Sequence, residues 1–172
     1  MTNVRRALAL ALSFASLALA SCGEGPTATT APSAAVSHDL LWPVTGLLTC
    51  TPLPADSVTQ VIGPDGGTIN IGPHTFVVPA GALDSAVAIT AVAPSGVANR
   101  VVFQPTGLRF HRGARLTMSY ANCGLVSNLV PPQIAYVDDL LNILYFIPSL
   151  EHPQAQTVTG WVRHFSDYAV AW

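Results

Sequence analysis

Lysine is absent from the 172 residues and charged side chains make up only 9% of them, so the dense basic footprint of a nucleic-acid binder is missing. Helical stripes are missing too. No stretch keeps apolar residues at helical spacing for three turns, which argues against an α-helical domain. No apolar run is long enough for a comfortable bilayer span. Neither a Cys-x-x-Cys nor a paired-histidine spacing occurs, so the sequence calls for no metal and no cofactor. No serine lies in a nucleophile-elbow motif, and no turnover enzyme is indicated.

What is present starts at the amino terminus. Arg5 and Arg6 precede an apolar run from Ala7 to Ala20, which closes on Leu19, Ala20, Ser21 and Cys22 in the pattern of a bacterial lipoprotein signal. On this reading residues 1–21 are removed, the Cys22 thiol carries a diacylglyceryl group, and the new amino terminus receives a further acyl chain such as palmitate. The plain alternative is an ordinary signal peptide cut beside a chance cysteine. One acyl chain binds a membrane marginally, whereas three anchor it stably. Gly23, standing where an aspartate would signal retention in the inner membrane, favours the outer membrane by analogy. The mature chain keeps five arginines against nine carboxylates and is mildly acidic.

With Cys22 committed to lipid, Cys50 and Cys123 remain as an even pair in an oxidising compartment, where a disulfide is the simplest reading. Closing a loop of that length would stabilise the fold by roughly 4 kcal/mol in the chain-entropy model. Gly23 to Ser37 is rich in Ala, Thr, Pro, Ser and Gly and reads as a flexible tether. Asp39 to Cys50 brings Leu40, Leu41, Trp42, Leu47 and Leu48, apolar enough to dock as an arm or first strand. The expected organisation is therefore a signal peptide over 1–21, a lipidated cysteine with tether and arm over 22–49, and one domain over 50–172.

The domain reads as all-β, an antiparallel β-sandwich. Short β-branched and aromatic runs are broken by Gly, Pro, Asn and Asp. Strands are expected over Val58 to Ile62, Gly67 to Ile71, Thr75 to Pro79, Ala86 to Ala93, Val101 to Phe103 and Arg115 to Tyr120. Four more follow over Ile134 to Val137, Ile143 to Ile147, Thr157 to Val162 and Tyr168 to Trp172. The most apolar run, Leu140 to Leu150, is too short for a span, contains Pro148, and is expected to be a buried hairpin arm.

Four segments carry a family resemblance: I-G-P-D-G-G-T-I-N-I over Ile62 to Ile71, F-V-V-P-A-G-A-L over Phe76 to Leu83, F-Q-P-T-G-L-R-F over Phe103 to Phe110, and H-F-S-D-Y-A-V over His164 to Val170. Together they resemble a ZU-five domain, a β-sandwich module of ankyrins, netrin receptors and death-domain adaptors that also occurs in bacterial envelope lipoproteins. The resemblance covers Ser57 to Cys123 well and the C-terminal strands more loosely. Its most specific element is the glycine pair followed by the Pro79-Ala80-Gly81-Ala82-Leu83 turn, which shapes the fold. Some relatives cut their own backbone between the Phe and Ser of His-Phe-Ser. The resemblance thus implies that Ser166 attacks the Phe165 carbonyl while His164 accepts its proton. The alternation parity of Phe165 differs from that of Tyr168, Val170 and Trp172, so a bulge or kink is expected near Ser166 and Asp167. The plain alternative makes these residues the start of the last strand. Asp167 replaces the aromatic residue of the self-cleaving adaptors, and its charge could hydrogen-bond Ser166 or raise the His164 pKa.

Arg109, His111, Arg112 and Arg115 form the one dense basic patch, and Arg100 could join them in holding a carboxylate, a phosphate or an anionic glycan. A solvated strand-and-turn face is the alternative. Exposure of Trp161 or Trp42 beside those arginines would mark a binding face. Asp138, Asp139 and Asn142 lack the ligand spacing of a calcium loop and read as a hairpin turn. His38, His74, His111 and His152 share no ligand spacing. The sequence thus points to a lipid-anchored, non-enzymatic interaction or structural module of the cell envelope with a protein partner. Self-cleavage at Phe165–Ser166 and anionic-glycan binding are the alternatives.

Overall fold

The computed structural model describes residues 46–125 and 130–172. The signal segment, Cys22, the tether, His38 and Trp42 lie outside the described residues. Among the described residues every regular element is a strand, and every paired strand is antiparallel. In chain order these are β1 (Thr49–Cys50), β2 (Asp56–Ile62), β3 (Gly67–Ile71), β4 (His74–Val78), β5 (Val87–Ala93) and β6 (Arg100–Gln104). They continue as β7 (Arg109–Ser119), β8 (Cys123–Gly124), β9 (Gln133–Val137), β10 (Ile143–Ile147), β11 (Ser149–His152), β12 (Thr157–His164) and β13 (Asp167–Ala171). One sheet has six strands in the order β10-β9-β13-β6-β5-β2, a second has five in the order β11-β12-β7-β4-β3, and β1 pairs with β8.

Alternation assigns the faces. Along β3, Ile69 and Ile71 are buried while Thr68 and Asn70 are exposed, and along β7, Leu116 and Met118 are buried while Arg115 is exposed. The segments Phe76 to Leu83, Phe103 to Phe110 and His164 to Val170 each deliver phenylalanine to one cluster that joins the two large sheets. Phe76 on β4 lies 4.6 Å, ring centroid to centroid, from Phe103 on β6. Phe165 stacks on Phe103 at 4.9 Å and meets Phe110 of β7 edge-on at 5.1 Å. All four rings are buried, and such contacts add to the burial of a large apolar area.

The glycine turn is needed for a steric reason. Gly66 has φ +76°, and a Cβ there would meet the Val78 carbonyl oxygen at 2.3 Å and Pro79 C at 2.8 Å. The turn therefore seats its backbone directly on the strand end that leads into Pro79–Leu83. Left-handed strain and a backbone overlap act together in Gly66→Ala, which is expected to lower stability by roughly 3 kcal/mol in a denaturant melt.

β7 starts six residues earlier than the alternation indicates. Its pairing with β12 slips between Val162↔Ala114 and His164↔Arg109, so the Phe110–Gly113 stretch bulges and exposes His111 and Arg112 in succession. The His111 N–H donates to the Ala82 carbonyl, which ties the bulge to the Pro79–Leu83 turn.

His74 is buried with its Nδ1 accepting the Ser119 N–H at 3.1 Å. Burial pulls its pKa from 6.5 down to about 4. The folded state thus resists a proton that the unfolded chain takes up below pH 6.5. Stability present above pH 6.5 should fall by roughly 3 kcal/mol as pH drops to about 4. His74→Asn, which keeps an acceptor for Ser119, should flatten that part of the pH–stability curve in urea melts.

Two expectations are corrected. The Leu140–Leu150 run does form a hairpin with β9, but it is not buried: β10 is the edge of its sheet, and Leu140, Leu144, Tyr145, Phe146 and Leu150 are all exposed. Arg100 lies on β6 in the six-stranded sheet, whereas Arg109 and Arg115 lie on β7 in the other, so Arg100 does not join the basic patch. The disulfide between Cys50 and Cys123 is present, across the directly paired β1 and β8. Next to it, buried Asn99 donates to the Ser119 carbonyl and exchanges hydrogen bonds with Asn122, whose amide donates to the Thr51 carbonyl. Leu47 and Leu48, the described part of the apolar arm, are buried.

Candidate functional site

Twice near its end the chain passes between the two large sheets. The first crossing is Ile147–Ser149, where β10 of one sheet gives way to β11 of the other. The Ser149 hydroxyl donates to the Ile147 carbonyl at 2.7 Å and accepts the Ile134 N–H at 3.1 Å, satisfying backbone groups freed at this corner. The second crossing is Phe165–Ser166, between β12 and β13. There the Tyr168 hydroxyl donates to the His164 carbonyl at 2.6 Å. Burial, with Tyr136 nearby, pushes the Tyr168 phenol above its ordinary range, so it remains a donor.

Between the two crossings opens a cleft of about 420 Å³. Its floor is a row of tyrosines, because Tyr168 on β13 pairs with Tyr136 on β9, which pairs with Tyr145 on β10. Tyr168 is buried, Tyr136 half-buried and Tyr145 61% exposed, so the row runs from the core out to solvent. Its wall is the outer end of β12, with Trp161 54% exposed, Arg163 exposed and His164 edge-on to Tyr136 at 5.5 Å. The Trp161 side chain lies beside Gly113 and opposite Arg115. On that side a second depression, of about 210 Å³, is lined by Val77, Pro79, Gly113 and Arg115. Trp161 therefore stands between an aromatic cleft and an arginine.

The basic patch is brought together only in part. Arg109, His111, Arg112 and Arg115 are exposed along β7, but His111 Nε2 is held by the Asp84 carboxylate at 2.7 Å and Arg112 reaches the Ala80 carbonyl at 3.4 Å. Arg115 borders the smaller depression.

At the second crossing Phe165 is buried, its N–H donates to the Leu108 carbonyl, and its own carbonyl accepts the Gly107 N–H at 3.2 Å. His164 Nδ1 lies 3.5 Å from that same carbonyl oxygen. No hydrogen bond joins His164 to Ser166 among the described residues. The strand breaks at Phe165–Ser166, and the pairing of β12 slips just before it. The Asp167 carboxylate points to Arg100, 3.7 Å away. Partial burial raises its pKa and Arg100 opposes that rise.

Asp138 caps its turn, accepting the N–H groups of Leu140 and Asn142 and the Asn142 amide. Those bonds hold its carboxyl below the usual range. Among the described residues no group of three His, Cys, Asp or Glu is placed to share a metal ion.

Fold and site together define an all-β protein of antiparallel sheets with an open, aromatic-walled cleft at a sheet crossing. No protein-family model matches the chain, and no curated protein matches it either.

Proposed function

We propose that this protein is a lipid-anchored, non-enzymatic binding module of the bacterial cell envelope. In this reading the domain is a β-sandwich of the ZU-five kind, tethered through acylated Cys22 to the outer membrane. The cleft walled by Trp161, Arg163 and His164 is its binding face. The observation that carries the reading is the exposure of Trp161 between the tyrosine row and Arg115, since a large aromatic left in solvent beside an arginine that makes no ion pair among the described residues is what binding hot spots are made of. A sandwich is supported by the phenylalanine cluster that both large sheets share. The disulfide suits an oxidising envelope compartment.

Self-cleavage is the weaker reading. Its nucleophile and base are not hydrogen-bonded, and the Phe165 ring is locked into the core. The test of the binding face is a photo-crosslinking residue placed at Trp161 or Tyr145 of the full chain in cells, with Thr59 on β2 as the control position. The proposal expects one discrete envelope adduct at the first two positions and none at the third. The same pattern at all three, or no adduct, would count against it.

A further inference from the structure

We propose that the cleft binds a carboxylate-bearing glycan, with a pyranose ring laid on Trp161 and Tyr145 and its carboxylate held by Arg163. This names the ligand class for the binding face above and rests on that reading. Three observations carry it. Trp161 on the wall and Tyr145 at the outer end of the floor are both more than half exposed, in a cleft whose volume, about 420 Å³, suits a ligand of one or two rings. The apolar C–H face of a pyranose places partial positive charge against the negative face of an aromatic ring, and its hydroxyl rim needs donors and acceptors around it.

Those groups are present and unspent. Among the described residues the Tyr136 and Tyr145 hydroxyls, the Trp161 indole N–H and the Arg163 guanidinium make no hydrogen bond or ion pair within the protein. A site built for aliphatic side chains of a peptide would not line its walls with four such polar groups.

The charge selects an anion. Among the described residues no carboxylate lines the cleft, and Arg163 supplies its guanidinium. Asp167, the nearest carboxylate along the chain, is turned to Arg100 on the other face of β13. The Arg163 fork can hold a carboxylate by two parallel hydrogen bonds, which a neutral sugar cannot offer. At the cell envelope this chemistry has two sources: hexuronates of acidic polysaccharide and the lactyl carboxylate of muramyl sugars.

The test is isothermal titration of the full chain, extracted in detergent, with three probes: an oligogalacturonate, the same oligomer with its carboxylates reduced to alcohols, and a muramyl disaccharide. We expect one of the two carboxylated probes to bind, and which one does identifies the source. Carboxyl reduction should weaken binding at least about tenfold. So should Trp161→Ala and Arg163→Gln, while Trp161→Phe restores part of the affinity and Arg112→Gln changes nothing. The exposure of both side chains makes misfolding of these variants a poor explanation for loss, and the phenylalanine variant controls for it. Absence of binding by every probe would overturn the glycan assignment, and a discrete crosslink from position 161 would then still leave a binding face with another ligand. Binding that survives Trp161→Ala and Arg163→Gln but is lost in Arg112→Gln would overturn it in favour of the β7 arginines.

Discussion

Phe165→Ala should lower the unfolding free energy by about 3–5 kcal/mol, the range for emptying a buried aromatic site. The upper end is expected. The ring touches three other phenylalanines at centroid distances from 4.9 to 5.6 Å, and they come from β4, β6 and β7, so its loss leaves a cavity at the junction of both large sheets. The backbone on either side is pinned by Leu108 and Gly107, which limits collapse into the space. Phe165→Leu, which refills part of the volume, should recover roughly half of the loss. Equilibrium urea unfolding of the three proteins checks this, and a loss under about 1 kcal/mol would show that the cluster does not join the sheets as described.

Removing the Cys50–Cys123 bond comes next in size. The two cysteines are 73 residues apart in sequence, so the bond restricts a long loop of the unfolded chain, and its loss should cost roughly 4 kcal/mol. It also holds the β1–β8 pair beside the Asn99–Asn122 hydrogen bonds. Reduction should therefore release the segment from Leu47 to Thr51 before the large sheets open. Amide exchange with and without reductant would show faster exchange at Cys50 and Thr51 first, whose N–H groups donate to Val97 and Asn122. Exchange that accelerates uniformly over the domain would contradict that order.

Much of the fold was legible because strand signals are local. Gly67–Ile71 and Ile143–Ile147 lie where alternation and flanking turn residues put them, and the paired cysteines were readable from their number and the compartment expected for them. The two-residue strands β1 and β8 carry too little sequence for any period to show. The first half of β7 was hidden by its bulge, where His111 and Arg112 are exposed in succession. Apolar content made Leu140–Leu150 look buried, because hydrophobicity does not tell an edge strand from a central one.

The cleft was less readable still. Trp161 was singled out in the sequence as the marker of a binding face beside the arginines and His164 as a base for self-cleavage, but Tyr136, Tyr145 and Arg163 were not singled out. They come from three strands and meet only because the chain crosses between sheets at Pro148 and at Phe165–Ser166. No linear motif encodes that meeting. The His-Phe-Ser segment, by contrast, was legible as a motif and carries a structural role, supplying one core ring and the crossing that frames the cleft.

Denaturing intact-mass spectrometry of the protein, extracted in detergent from a bacterial envelope, tests the proposal of an anchored, uncut and stapled module most directly. The expected species begins at Cys22, runs uncut through Ser166, carries three acyl chains and lacks two hydrogens, which return on reduction, with Ser166→Ala differing from it by one oxygen alone. An unlipidated chain that keeps residues 1–21, or one that has lost Ser166 to Trp172, would contradict it.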